Sequence, residues 1–162
     1  MKNTIVIIAI SLFAVSCKNA KQSSYNEAAS VLRVPSLDFN PLEGRLISSG
    51  VDTAQQLMYT LYGNPVAVNH ARFHSATAYP AGSVLSKVTW RQQPDPHWFG
   101  ANIPSSVSAV EVVRFITGSD GIVKPGYRHY SGDGSGADAV LSQAETEARI
   151  NSIISVRASV MP

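Results

Sequence analysis

The chain of 162 residues contains a single cysteine, Cys17. That scarcity excludes an intramolecular disulfide and every zinc site built on paired cysteines. Charge is also sparse. Thirteen Lys and Arg against eleven Asp and Glu leave a net +2 with histidines neutral, and no basic run or basic-aromatic interleaving occurs, which argues against nucleic acid as a partner. No apolar run reaches the roughly 20 residues that a spanning helix needs. Ser105 and Ser106 lack the glycine frame of a nucleophile elbow, and the one glycine-rich run, SGDGSG at 131–136, is wrongly flanked for a phosphate loop.

What is present begins with an address. Lys2 precedes an apolar stretch at 5–15, and Ala14 and Ser16 lead into Cys17 in the run AVSC. This arrangement predicts a lipoprotein signal peptide at 1–16 and lipid attachment at Cys17; an ordinary secretory leader with an incidental cysteine is the alternative. Both readings export the chain. Lys18 is not the aspartate that marks inner-membrane retention in some bacteria, so the expected place is the cell envelope, lipid-anchored on the outer membrane and facing the periplasm. Removing residues 1–16 from the 162 leaves 146 and lowers the net charge by one, through Lys2. That length suits one domain with a real core.

Residues 18–30, KNAKQSSYNEAAS, read as a flexible tether, and 31–50 as an ordered but irregular lead-in whose Val34, Leu37 and Phe39 pack on the core. Anchor, tether and lead-in together take residues 17–44, and the folded domain takes 45–162. In 51–64, Asp52 is placed to cap a helix with Leu57, Met58 and Leu61 as its stripe and Gly63 as its stop. Asn64 and Pro65 then open a second helix to about residue 75. A strand is expected at 83–91, a long proline-rich loop through QQPDPHWFGANIP, and a strand through VSAVEVVRFI that is apolar on both faces and therefore central. In that strand Val107, Ala109, Val113 and Phe115 are assigned to one face. GSDG at 118–121 turns into a partner strand, and 137–158 has helical spacing. The expected class is α+β: an antiparallel sheet with short N-terminal helices and a C-terminal helix.

The stretch LYGNPVAVNHARFHSATAYPAGSVLSKVTW at 61–90 resembles the cytochrome P-460 family, which includes the cytochromes c′-beta. The resemblance rests on Gly63, Asn64 and Ala67, the turn Tyr79, Gly82 and Ser83, and Lys87 five residues beyond the turn glycine. It extends more thinly through WFGANIP, SAVEVVRF and YRHYSG. In that family the lysine at this spacing bonds covalently to haem, and a C-x-x-C-H motif near the C-terminus holds the haem and ligates its iron. This chain lacks that motif, and no histidine follows His129. Haem, if held, would then be non-covalent or bound through Lys87, with His129, His97 or Tyr127 as ligand. The resemblance also implies a homodimer through the sheet.

Other residues carry weaker chemistry. Lys87 is either a solvated strand charge or a group aimed into a cavity, on the face of Leu85 and Thr89 and opposite Val84, Val88 and Trp90. His70 and His74 share a helix face at the spacing of a metal pair, with His97, His129 or Asp95 as a third ligand. Asp95 and His97 flank Pro96 and read as loop-structuring. Trp98 and Phe99 either wall a pocket with Trp90 or plug the end of the sheet. Glu111, inside an apolar strand, requires a partner, for which Arg91 and Arg114 are nearest in sequence. The expected function is a haem-free small-ligand-binding or structural module of the envelope. The alternative is a haem protein that handles nitric oxide or hydroxylamine, or transfers electrons.

Overall fold

The structure is a computed structural model, described for residues 26–34, 37–74, 78–133 and 141–159. Five strands, β1 Arg45–Asp52, β2 Leu57–Gly63, β3 Val84–Pro94, β4 Asn102–Thr117 and β5 Val123–Ser131, form one antiparallel sheet in sequential order. Helix α1, Pro65–Phe73, connects β2 to β3, and α2, Gln143–Ile154, follows β5. The mixed α+β class is as expected. Cys17, the leader and the tether to residue 25 lie outside the described residues.

The first predicted helix is a hairpin instead. Asp52 does accept a hydrogen bond from the Gln55 amide (3.0 Å), but that bond closes a turn in which Gln56 takes a positive φ of 54°. Beyond it Leu57, Tyr59 and Leu61 alternate with Met58, Thr60 and Tyr62. Period two with aromatic and β-branched members outcompetes a helical stripe of only three residues. Gly63 ends a strand, not a helix. A Cβ there would stand 2.7 Å from the Ile47 side chain and 3.1 Å from Ala67, so its absence lets α1 start hard against the sheet.

Asn64 makes that start. Its carbonyl oxygen accepts from the Ala67 and Val84 amides at 3.0 and 3.2 Å, and its amide donates to Gly82 O at 2.7 Å. One side chain thus caps α1 and ties it to the type II turn before β3, where Gly82 supplies the required φ of 83°.

The proline-rich loop is shorter than its composition predicts. Strand β3 runs on to Pro94 and β4 begins at Asn102, because irregularities in the register at 89/90 and 91/92 set Pro104 opposite Gln92 without breaking the ladder. The first of these shifts moves Val107 to the face of Trp90, away from Ala109, Val113 and Phe115, so the assigned alternation fails at Val107 alone. Strand β4 does have neighbours on both sides, as its apolar faces require.

Each face of the sheet has its own core. On one, Leu61, Leu85, Val113 and Phe115 pack with Ala67, Val68 and Ala71 of α1 and with Ile150 and Ile153 of α2. On the other, Val88, Trp90, Val110, Val112 and Tyr130 are covered by Val31 and Val34, with Leu37 and Phe39 beside them. The lead-in is therefore a lid over half the core. Residues 26–30, expected in the tether, belong to it: Glu27–Ala29 is a 3-10 turn, Asn26 donates to the carbonyls of Pro104 and Ser105 at 2.9 and 3.0 Å, and the Trp90 indole donates to Ala29 O at 2.9 Å.

Candidate functional site

Alternation places Lys87 on the helix-covered face, and the register aligns Leu61, Lys87, Glu111 and His129 straight across β2 to β5. Glu111 is the centre of this row and is 5% exposed. Its Oε1 accepts from the Tyr127 hydroxyl at 2.7 Å and from Arg149 Nη1 at 3.2 Å, while Lys87 Nζ lies 3.4 Å from Oε2. Lys87 Nζ also sits 5.3 Å from the centre of the Tyr59 ring. That ring is laid over Gly50, where a Cβ would come within 2.6 Å of it.

Three strands and α2 thus meet at one carboxylate. Burying an ion costs several kcal/mol unless its lone pairs are satisfied, and here both oxygens of Glu111 are engaged. Burial raises the pKa of Glu111, but the Tyr127 hydrogen bond, the Lys87 charge and Arg149 outweigh burial and hold it below the usual carboxylate range. Burial, and then the Glu111 hydrogen bond, push the Tyr127 phenol well above its ordinary value. Tyr127 therefore stays a neutral donor and Glu111 an anion at neutral pH. With Lys87 and Arg149 cationic, these four groups carry a net positive charge. They clamp α2 to the sheet, and the outer side of the clamp, where Arg149 is 46% exposed, is suited to an anionic group.

Of the residues singled out by sequence, Lys87, Tyr127 and His129 come together on this face. Trp90 does not. It lies on the opposite face, as its parity predicts, so it walls no pocket with Lys87. Arg91 and Arg114 are not the partners of Glu111: Arg114 points to the other face, with its guanidinium carbon 5.3 Å from the centre of the Phe39 ring. The true partners, Lys87 across the strand pair and Arg149 thirty-eight residues on, are distant in sequence. Arg149 precedes Ile150 on the stripe completed by Ile153, the one sequence signal that places it toward the sheet. Tyr59 was hidden by the helical reading of its segment.

The two helix histidines are adjacent, with ring centres 6.1 Å apart. His70 is buried and packs 4.4 Å from Tyr79, which lies 5.2 Å from Phe115. Among the described residues no group of three or more His, Cys, Asp and Glu is placed to hold a metal, and neither His97, His129 nor Asp95 joins the pair. An open cavity of about 580 Å³ borders His70, His74 and Asn69. A second, of about 330 Å³, lies between the lead-in and the start of β3; neither is lined by Lys87 or Glu111. Asp95 structures its loop, accepting from the His97 amide at 2.8 Å. Trp98 and Phe99 neither wall a pocket nor plug the sheet, for both stand out in solvent at the loop tip. No protein-family model matches the chain, and no curated protein matches it.

Proposed function

We propose that this chain is a lipid-anchored module of the cell envelope that works without haem, binding a small ligand or serving as a structural unit. The observation that carries the reading is the state of Lys87. Its ammonium is committed to the buried carboxylate of Glu111, which Tyr127 and Arg149 also hold. A lysine that bonded to a porphyrin would lose this charge and leave Glu111 short of one counter-ion, at a cost that burial makes high. The donor set does not fit the covalent haem implied by the resemblance to cytochrome P-460 proteins: the chain has no C-x-x-C-H motif. His129, the last histidine, lies on the edge strand β5 beside Glu111 and, like Lys87, faces the salt-bridged row.

The net positive charge of Lys87, Glu111, Tyr127 and Arg149 together favours a small anion over a neutral ligand. The proposal is tested by purifying the chain from cells supplied with haem and recording its visible spectrum. A colourless protein is expected. A Soret band that disappears in Lys87→Ala would replace this reading with the redox one, in which the chain handles nitric oxide or hydroxylamine or transfers electrons.

A further inference from the structure

The loop between β3 and β4 exposes two neighbouring aromatic side chains: Trp98 is 72% exposed and Phe99 fully so. Adjacent exposed aromatics are unusual on a folded domain unless they meet something. The loop is also built to hold them out. The Asp95 amide donates to Ala101 O at 2.9 Å and the Ala101 amide to Trp98 O at 3.1 Å; Gly100 turns the chain with φ 80°, and the Asp95 carboxylate pins the His97 amide. Little conformational freedom remains to be lost when the tip is covered.

The start of the described chain is fastened at the same end of the sheet. Asn26 is held by the carbonyls of Pro104 and Ser105, three or four residues beyond the loop on β4. Cys17 lies nine residues before Asn26, and nine residues span at most about 30 Å. Acyl chains on Cys17 would therefore keep this end of the domain within about 30 Å of the bilayer. We infer that the tip Trp98-Phe99 inserts into the lipid headgroup region, as a second contact beside the acyl anchor. An indole, with an apolar body and one N–H donor, suits that depth, and Phe99 adds apolar area. Acyl chains at the end of a tether hold the domain at the membrane without orienting it, so a second apolar contact fixes which face of the domain looks outward. This inference rests on the lipid-anchor reading of Cys17.

The test uses the full chain in phosphatidylethanolamine–phosphatidylglycerol vesicles, with and without brominated acyl chains that quench nearby indoles. Trp90 is buried in the sheet, so the difference between wild type and Trp98→Phe isolates Trp98. The inference predicts that brominated lipid quenches the wild type and that this quenching is lost in Trp98→Phe. Equal quenching of the two, in chains that still float with the vesicles, overturns it and leaves the anchor intact. Failure of the anchor has a different signature, the absence of acyl mass on Cys17. The unacylated chain mixed with the same vesicles then decides: quenching of Trp98 upholds the inference and its absence overturns it. A concentration-dependent dimer abolished by Trp98→Ser, without lipid quenching, also overturns it.

Discussion

Glu111 shows what a single residue can reveal before any fold is known. A carboxylate in the middle of VSAVEVVRF must be satisfied or expelled, and that much is readable from the run itself. Its partners are not, because Lys87 and Arg149 meet it only through the β3–β4 register and the docking of α2. Removing the charge by Glu111→Gln leaves Lys87 and Arg149, both partly exposed, free to hydrate, so the cost is set mainly by lost charge-assisted hydrogen bonds. A loss of about 1–3 kcal/mol is expected in urea unfolding at neutral pH. The pH dependence has a definite sign. The folded pKa of Glu111 lies below its unfolded value, so its stabilisation is full above the ordinary carboxylate pKa of about 4.3 and is lost as pH falls through the folded value. Glu111→Gln should therefore lose less stability than wild type on acidification below about pH 4.3, and parallel acid limbs would show that the carboxylate is not stabilised in the fold.

At the scale of elements, what was legible depended on whether the signal was local. The second helix starts where Asn64-Pro65 says it must, and the β4–β5 hairpin follows from GSDG, because caps and turns are settled by neighbours in sequence. The 51–63 segment was misread because Asp52 with Gln55 satisfies a turn as well as a helix cap, and only pairing with β1 and β3 selects the strand. Asn64→Ala removes the cap of α1 and the tie to the Gly82 turn together, and is expected to cost about 2 kcal/mol, at the upper end for a cap. Asn64→Asp keeps the acceptor and should recover part of that in the same unfolding assay. The connection after β5 carries its own constraint. A Cβ on Gly132 would fall 2.0 Å from Val107 O, whereas one on Gly126 meets nothing closer than 3.7 Å. Gly132→Ala should thus lower the melting temperature far more than Gly126→Ala, a contrast that differential scanning fluorimetry reads directly.

For the whole molecule, the sequence carried the class and the parity of Lys87 against Trp90, since both follow from alternation along one strand. It carried the packing of Val34, Leu37 and Phe39 on the core, but not the part of the lid at residues 26–30, whose contacts with β3 and β4 are long-range and whose pattern is irregular. Edge protection is visible at this scale. Strand β5 bears Lys124 and Pro125 near its start, which discourage another strand from adding there. The homodimer through the sheet implied by the P-460 resemblance would instead use the other edge, β1, and light scattering of the purified chain should give twice the monomer mass if it forms. The proposed chain is acylated at Cys17 and keeps the Lys87 ammonium unmodified and paired with Glu111. Intact-mass spectrometry of protein purified from membranes of haem-supplied cells tests both parts at once. The predicted mass is the polypeptide without residues 1–16 plus acyl chains alone, and a haem-sized increment that disappears in Lys87→Ala would contradict the account.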